Sequence, residues 1–226
     1  MDDLIMGRNS SNLAKARTPL REKVYKTLEE RIIYGALEPG HHLVETEIAN
    51  KAGISRIPVR EALQLLSRAG WVDLLPDMGA FVHTPTVEEV EDTFKVRVLL
   101  EAESARLAAQ NATDESTKTL KEIVREGKKA LRAGDERKLI LLNSQFHSTI
   151  TKIAGNSVLE GLIASLDKRI RWYFAPVAKV RGLESWKEHA EVLDAIIAGD
   201  EARAAEVMRK HAELTREAHE AHRSLT

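Results

Sequence analysis

Two sets of side chains in this 226-residue sequence have types and spacings that could do chemistry. The first is one oxygen donor with three imidazoles. Asn143 and His147 stand four residues apart, within the apolar stripe Leu139, Ile140, Phe146, Ile150 and Ile153. His189 lies in the stripe Trp186, Val192, Leu193 and Ile196, and His211 in the stripe Ala204, Val207, Met208 and Leu214. Helical periodicity therefore turns all four inward. His189 is 10 residues before Gly199 and His211 is 12 after it. At 1.5 Å per residue both stand roughly 15 to 18 Å from that turn, level with each other in an antiparallel pair of helices. An amide oxygen and three imidazoles converging in an apolar interior suit Zn²⁺, with Ni²⁺ or another divalent first-row ion as alternatives. Asn143 would ligate through its carbonyl and bring no negative charge. The ion would keep its full +2 and pull on an anionic ligand.

The second set is cationic. Arg56 and Arg60 share one face near the start of a helix that Ser55 can cap and whose first turn tolerates Pro58. Each guanidinium has the fork geometry to pair with guanine O6 and N7, worth about 1 to 3 kcal/mol of discrimination. The plainer alternative is that Arg60 pairs with a nearby carboxylate on a solvated face. Arg97 and Glu101, also four apart, either form an ordinary intrahelical ion pair or leave the guanidinium free to clamp a ligand carboxylate. Arg171, Trp172 and Tyr173 supply either pocket wall or packing.

Composition narrows the classes of function. Cysteine is absent, which excludes disulfides, thiolate metal sites and cysteine nucleophiles. Uncharged apolar runs such as Leu139 to Leu142 fall far short of the roughly 20 residues that span a bilayer. The start MDDLIMGRNS places acids where an export signal carries bases, so a soluble, cytoplasmic protein is expected. Net charge is -1, from Lys+Arg 34 against Asp+Glu 35, so any nucleic-acid surface must be local. One local bias exists: Arg8, Lys15, Arg17 and Arg21 occur with no acid between them, and residues 1–18 read as a flexible basic arm.

Helical signals position both sets. Leu20, Val24, Leu28 and Ile32 give one face of a first helix that stops near Gly35; 45–52 gives a short second helix ended by Gly53; and Val59, Ala62, Leu63, Leu66 and Ala69 carry a third to Gly70. Trp71 to Leu75 and Ala80 to Val82 flank the turn-rich Pro76-Asp77-Met78-Gly79 as a small hairpin. Short helix, turn, longer helix and hairpin make a winged helix-turn-helix over 19–83. His83-Thr84-Pro85-Thr86 forms a joint, with 84–86 as the linker. From 87 to 223 the signals are helical throughout, with expected helices 87–111, 114–133, 136–154, 157–177, 184–198 and 201–222. Asp114, Asp135 and Asp200 stand at N-caps, and Gly134, Gly155 and Gly199 at stops. Six helices with short loops imply an all-α antiparallel bundle. The fold class is mainly α.

The stretch from Leu20 to Val82, with GALEPG, LVETEIANKAGISRIPVREAL, LLSRAGWV and a wing glycine, resembles the DNA-binding domain of the GntR family of bacterial transcription regulators. The resemblance implies DNA contacts from Ser55, Arg56, Arg60 and the wing Gly79. The C-terminal half is similar to the FCD effector domain, named after the fatty-acid regulator FadR, through Phe146-His147, Ala154-Gly155-Asn156, Glu188-His189 and Ala198-Gly199-Asp200. In its metal-binding branch an Asp-x-x-x-His pair is followed by two spaced histidines; here Asn143 stands in place of the Asp. The resemblance implies a small organic-acid effector, an effector-pocket role for Arg97, a homodimer on a palindromic operator in double-stranded DNA, and release from DNA as the usual outcome. Three function classes follow: a ligand-responsive regulator, most often a repressor; a metal-dependent hydrolytic enzyme using the three-histidine site; and an architectural DNA binder without effector. The sequence has no HExxH and offers no general base by spacing, which favours the regulator.

Overall fold

The computed structural model describes residues 19–223. The basic arm, 1–18, lies outside them. The N-terminal unit contains α1 (Leu20–Ile33), β1 (His42–Leu43), α2 (Glu45–Ala52), α3 (Arg56–Arg68), β2 (Val72–Leu75) and β3 (Gly79–Val82). Helix α1 buries Val24, Leu28 and Ile32, whereas Leu20, at the start of the same stripe, is exposed. Gly53 ends α2 in the left-handed region at φ 64°, where a β-carbon would be strained. Ser55 occupies the N-cap position of α3 with extended backbone, but its hydroxyl makes no capping bond. The hairpin β2–β3 pairs Val72 with Val82 and Leu75 with Gly79. A third strand joins it: β1 pairs His42 with Phe81, giving the sheet order β1-β3-β2.

The linker leads directly into α4 (Val87–Asn111), started by a capping box in which Thr86 and Glu89 satisfy each other's backbone N–H groups. The bundle continues with α5 (Asp114–Ala133), α6 (Glu136–Ile153), α7 (Ser157–Phe174), a 3₁₀ turn (Ala175–Val177), α8 (Ala178–Ile197) and α9 (Glu201–Arg223). Three sequence expectations need correction. The helix expected over 157–177 ends at Phe174, where the backbone tightens into the 3₁₀ turn. Thr113, not Asp114, caps α5, because its hydroxyl accepts the Ser116 N–H. Helix α8 starts at Ala178 rather than at 184, and takes Gly182 into its interior. A β-carbon on Gly182 would stand 2.7 Å from Leu131 Cδ1, so this glycine serves close packing rather than a break.

Among the described residues, two apolar clusters form. One fills the bundle around Phe146, Leu120, Trp186 and Met208. The other spans both units: Val24, Leu63, Leu66, Trp71 and Val82 of the winged domain pack with Val90 and Phe94 of α4 and with Trp172 and Tyr173 of α7.

Candidate metal and ligand site and nucleic-acid face

Helices α6, α8 and α9 bring His147, His189 and His211 together. Their ligand nitrogens lie within 4.8 Å of one another, and all three residues are buried. The levelling expected across the Gly199 turn is present: His189 Nε2 and His211 Nε2 are 3.3 Å apart. Two nitrogens each about 2.0 to 2.1 Å from a tetrahedral zinc would be separated by roughly the same distance. His211 Nδ1 donates to Glu188 Oε2 at 2.7 Å, which leaves its Nε2 lone pair facing His189. Arg181 in turn pairs with the same carboxylate at 2.6 Å. A carboxylate behind an imidazole is the usual way of fixing a metal-ligating histidine. Ring contacts complete the enclosure, with Phe146 stacked on His189 at 4.2 Å and Trp186 edge-on to it at 4.6 Å.

His147 has a second carboxylate–arginine pair. Arg97 Nη2 lies 3.2 Å from His147 Nε2, and because a guanidinium only donates, Nε2 must accept and Nδ1 carries the proton. That Nδ1 is 3.2 Å from Glu101 Oε2, close to it but outside hydrogen-bond alignment. Arg97 Nε is 3.0 Å from the same oxygen, and both side chains are almost wholly buried. Burial works to raise the Glu101 carboxyl, but Arg97 and then His147 bring it down to about 2. Burial, with the like charges of His211 and His147, holds His189 well below the usual imidazole value. Burial also brings His211 down to about 4, against the opposing bond from Glu188. At neutral pH these two imidazoles are unprotonated, the form that binds a metal. The donor set fits a divalent ion, provided that one nitrogen of His147 exchanges its present neighbour for it.

A cavity of roughly 220 Å³ opens between α6 and α7 beside this cluster. Glu101, Asn143 and His147 line it together with Ser144, Ser148 and Thr151, and Asp167 and Arg171 line it from α7. Arg171 is held by Asp167 at 2.8 Å. Neither Arg97 nor Tyr173 is among the lining residues. Arg97 stands behind Glu101 and His147, with Nε beside Glu101, Nη2 beside His147 and a buried Nη1 that has no hydrogen-bond partner. Tyr173 is buried between the units instead, tilted against Phe94 at 6.5 Å and edge-on to His219 at 6.0 Å. Glu188 and Arg181 were missed as site residues. Their contact with His211 crosses from α8 to α9, and no spacing within one helix signals it.

On the winged domain, Arg56 and Arg60 lie exposed on α3, and both reach Glu45 of α2. Arg56 Nη2 donates to it at 3.1 Å, and Arg60 makes a two-pronged contact through Nε and Nη2, also at 3.1 Å. The Arg60 bond, with Arg56 assisting against slight burial, holds the Glu45 carboxyl below its usual range. Gly79 sits at the wing turn with φ 99°.

Comparisons with known proteins match both halves of the chain to domain families. The model of bacterial regulatory proteins of the gntR family matches residues 20–82, and the FCD domain model matches 92–214. The chain is 30% identical over 156 residues to an uncharacterized HTH-type transcriptional regulator, YdhC, of Bacillus subtilis, covering 69% of this chain and 70% of that protein. It is 29% identical over 182 residues to the gluconate operon transcriptional repressor of the same species, covering 80% and 74%. A crystal structure of a GntR regulator from Rhodococcus sp. RHA1 superposes with a TM-score of 0.75 at 22% identity, over 90% of this chain and 99% of that one. No helix among the described residues is long and apolar enough to cross a membrane. Its relatives are regulators and not enzymes, and the chain belongs to the GntR family of bacterial transcription regulators, with an FCD domain as its second half.

Proposed function

We propose that this chain is a repressor that binds a palindromic operator in double-stranded DNA as a homodimer and responds to a small carboxylate held beside a divalent-metal centre. The observation that carries the reading is the buried convergence of His147, His189 and His211 next to a cavity that Arg171 and Lys152 line together with Glu101, Glu160 and Asp167. His147, His189, His211 and Asn143 would hold zinc, or nickel. The bound ion supplies positive charge that draws an anion into the cavity. Glu101 and Glu188 orient His147 and His211, placing in a second layer the negative charge that Asn143 lacks. Arg97 acts through these groups. Arg171 is the arginine available to an effector carboxylate, and Ser144, Ser148 and Thr151 suit a hydroxylated acid. The cavity is smaller than the roughly 300 to 1,000 Å³ of most ligand pockets, which favours an acid of few carbons. The repressor sense is supported by the gluconate operon relative. Glu101, held ionised by Arg97, is a poor general base, which counts against hydrolytic chemistry.

Ser55, Arg56, Arg60 and Gly79 form the proposed DNA face. Glu45 occupies both arginines in the free protein and must give them up to guanine; as an exposed contact it costs little to break. Metal analysis tests the centre. A single divalent ion per native chain is expected, with affinity reduced about 10- to 100-fold or more in His189→Ala and His211→Ala. Unchanged metal content in both variants would remove the site. Calorimetry with gluconate as the probe, on metal-loaded and chelated protein, tests whether the ion helps to hold a hydroxy acid.

A further inference from the structure

The turn of α7 from Asp167 to Trp172 serves two partners. Asp167, Ile170 and Arg171 line the cavity. Lys168, Arg169 and Trp172 meet the winged domain. Lys168 Nζ donates to both oxygens of Glu29 on α1 at 2.8 Å. Trp172 and Trp71 stand 5.3 Å apart. Arg169 Nη2 donates to the carbonyls of Ala69 and Gly70 at 2.8 and 2.7 Å, and its guanidinium lies 4.3 Å from the centre of the Trp71 ring. Ala69 is the C-cap of α3, the helix whose opposite end carries Arg56 and Arg60. A cation at this end is favoured by the helix dipole and satisfies carbonyls that the helix leaves unpaired. Gly70 makes room for it, since a β-carbon there would fall 2.6 Å from Arg169 Nη2.

A second line of contacts runs from the cavity to the same domain. Ser144 Oγ donates to Asp167 at 2.5 Å, Asp167 pairs with Arg171 at 2.8 Å, and Arg171 Nη1 donates to the hydroxyl of Tyr34, at the end of α1, at 3.4 Å. Anything that binds Asp167 or Arg171 in the cavity competes with this chain of bonds. From Ala69 back to Arg56 is about 20 Å along the helix, so a tilt of roughly 5° at the Arg169 end moves the DNA-reading end by nearly 2 Å.

We propose that Arg169 is a positioning residue for DNA recognition: it sets the direction of α3, and the 167–172 turn of α7 passes the state of the cavity to it. The proposal rests on the dimeric-regulator reading above, and its test separates the two. Operator sequences are first selected from random duplexes with the full chain. Binding is then measured on the palindrome and on a single half-site. Arg169→Ala leaves Arg56 and Arg60 intact, so half-site affinity should be unchanged. Palindrome affinity should fall about tenfold or more, because two half-sites are engaged together only when both recognition helices are held in register. Arg169→Lys, which keeps the charge but loses the flat stacking on Trp71, should fall between, and it tests the idea even if the alanine variant unfolds. An equal loss on both DNAs would make Arg169 merely structural, and an undiminished palindrome preference would overturn the proposal. A native chain with no palindrome preference would instead sink the dimeric reading, and this proposal with it. The cavity link is read by hydrogen exchange: Asp167→Asn should speed exchange at the amides of Gly70 and Trp71 without any added ligand, and unchanged exchange there would overturn the link.

Discussion

Removing the Arg97 side chain would leave Glu101 as a buried carboxylate without the cation on its own helix. Arg97→Ala should therefore cost about 3 to 5 kcal/mol in denaturant unfolding, and pairing it with Glu101→Gln should recover part of the loss. A cost below about 1 kcal/mol would mean that water reaches the pair. The buried imidazoles give a pH dependence of defined sign. His189 and His211 stay neutral in the fold to well below 6.5, His211 to about 4, whereas the unfolded chain takes up protons as soon as pH drops past 6.5. The metal-free protein should lose stability from about pH 6.5 downward, by as much as about 1.4 kcal/mol per pH unit for each histidine. Glu101 adds a later loss: its contribution is complete above about 4.5 and disappears as pH falls toward 2. Thermal melts of chelated protein from about pH 7 to 5 check the first part, and a flat profile would contradict neutral burial. At this scale the sequence was informative where chain geometry is regular. Counting residues from Gly199 was enough to set His189 against His211. The contact of Arg97 with His147 was not legible, because the two are 50 residues apart.

Helix α5 approaches α8 so closely at Gly127 that a β-carbon there would lie 2.2 to 2.4 Å from three atoms of the Trp186 ring. Gly127→Ala should destabilise the chain by about 1 to 3 kcal/mol through overpacking. It should also weaken metal binding, since Trp186 is the ring that stands edge-on to His189. Melting and metal titration of the same variant read both effects, and an unchanged melting temperature would show that the indole has room to shift. Helix bounds were legible wherever a cap or a left-handed glycine marks them, as at Thr86, Asp135 and Gly134. The two-residue strand β1 was not, because only its pairing with β3 makes it a strand. The first turns of α8 were hidden by Gly182, which reads as a break in sequence and acts as a packing site in space.

For the whole molecule, the near-balanced charge means that salt-dependent DNA affinity must come from a few local cations. Deleting residues 1–18 removes Arg8, Lys15 and Arg17, and should lower the slope of log affinity against log salt by about 2 to 3. Salt titrations of the full and shortened chains on random duplex DNA check this, and identical slopes would retire the arm. The change from strand to helix across His83 to Thr86 was legible, since β3 ends at Val82 and α4 starts at Val87. The contact of the winged domain with α7 was not, because Trp71 and Trp172 are distant in sequence and neither lies near the joint. That shared core changes what counts as an exchangeable part. A hybrid sensor made by cutting at 84–86 and grafting another regulator's helical half would expose Trp71 and Val72 to a surface that never evolved to receive them. The portable module is the winged domain together with the matching turn of α7. Transplanting Lys168, Arg169 and Trp172 along with residues 19–83 is the minimal graft by which this DNA-reading head could be rewired to a new chemical input.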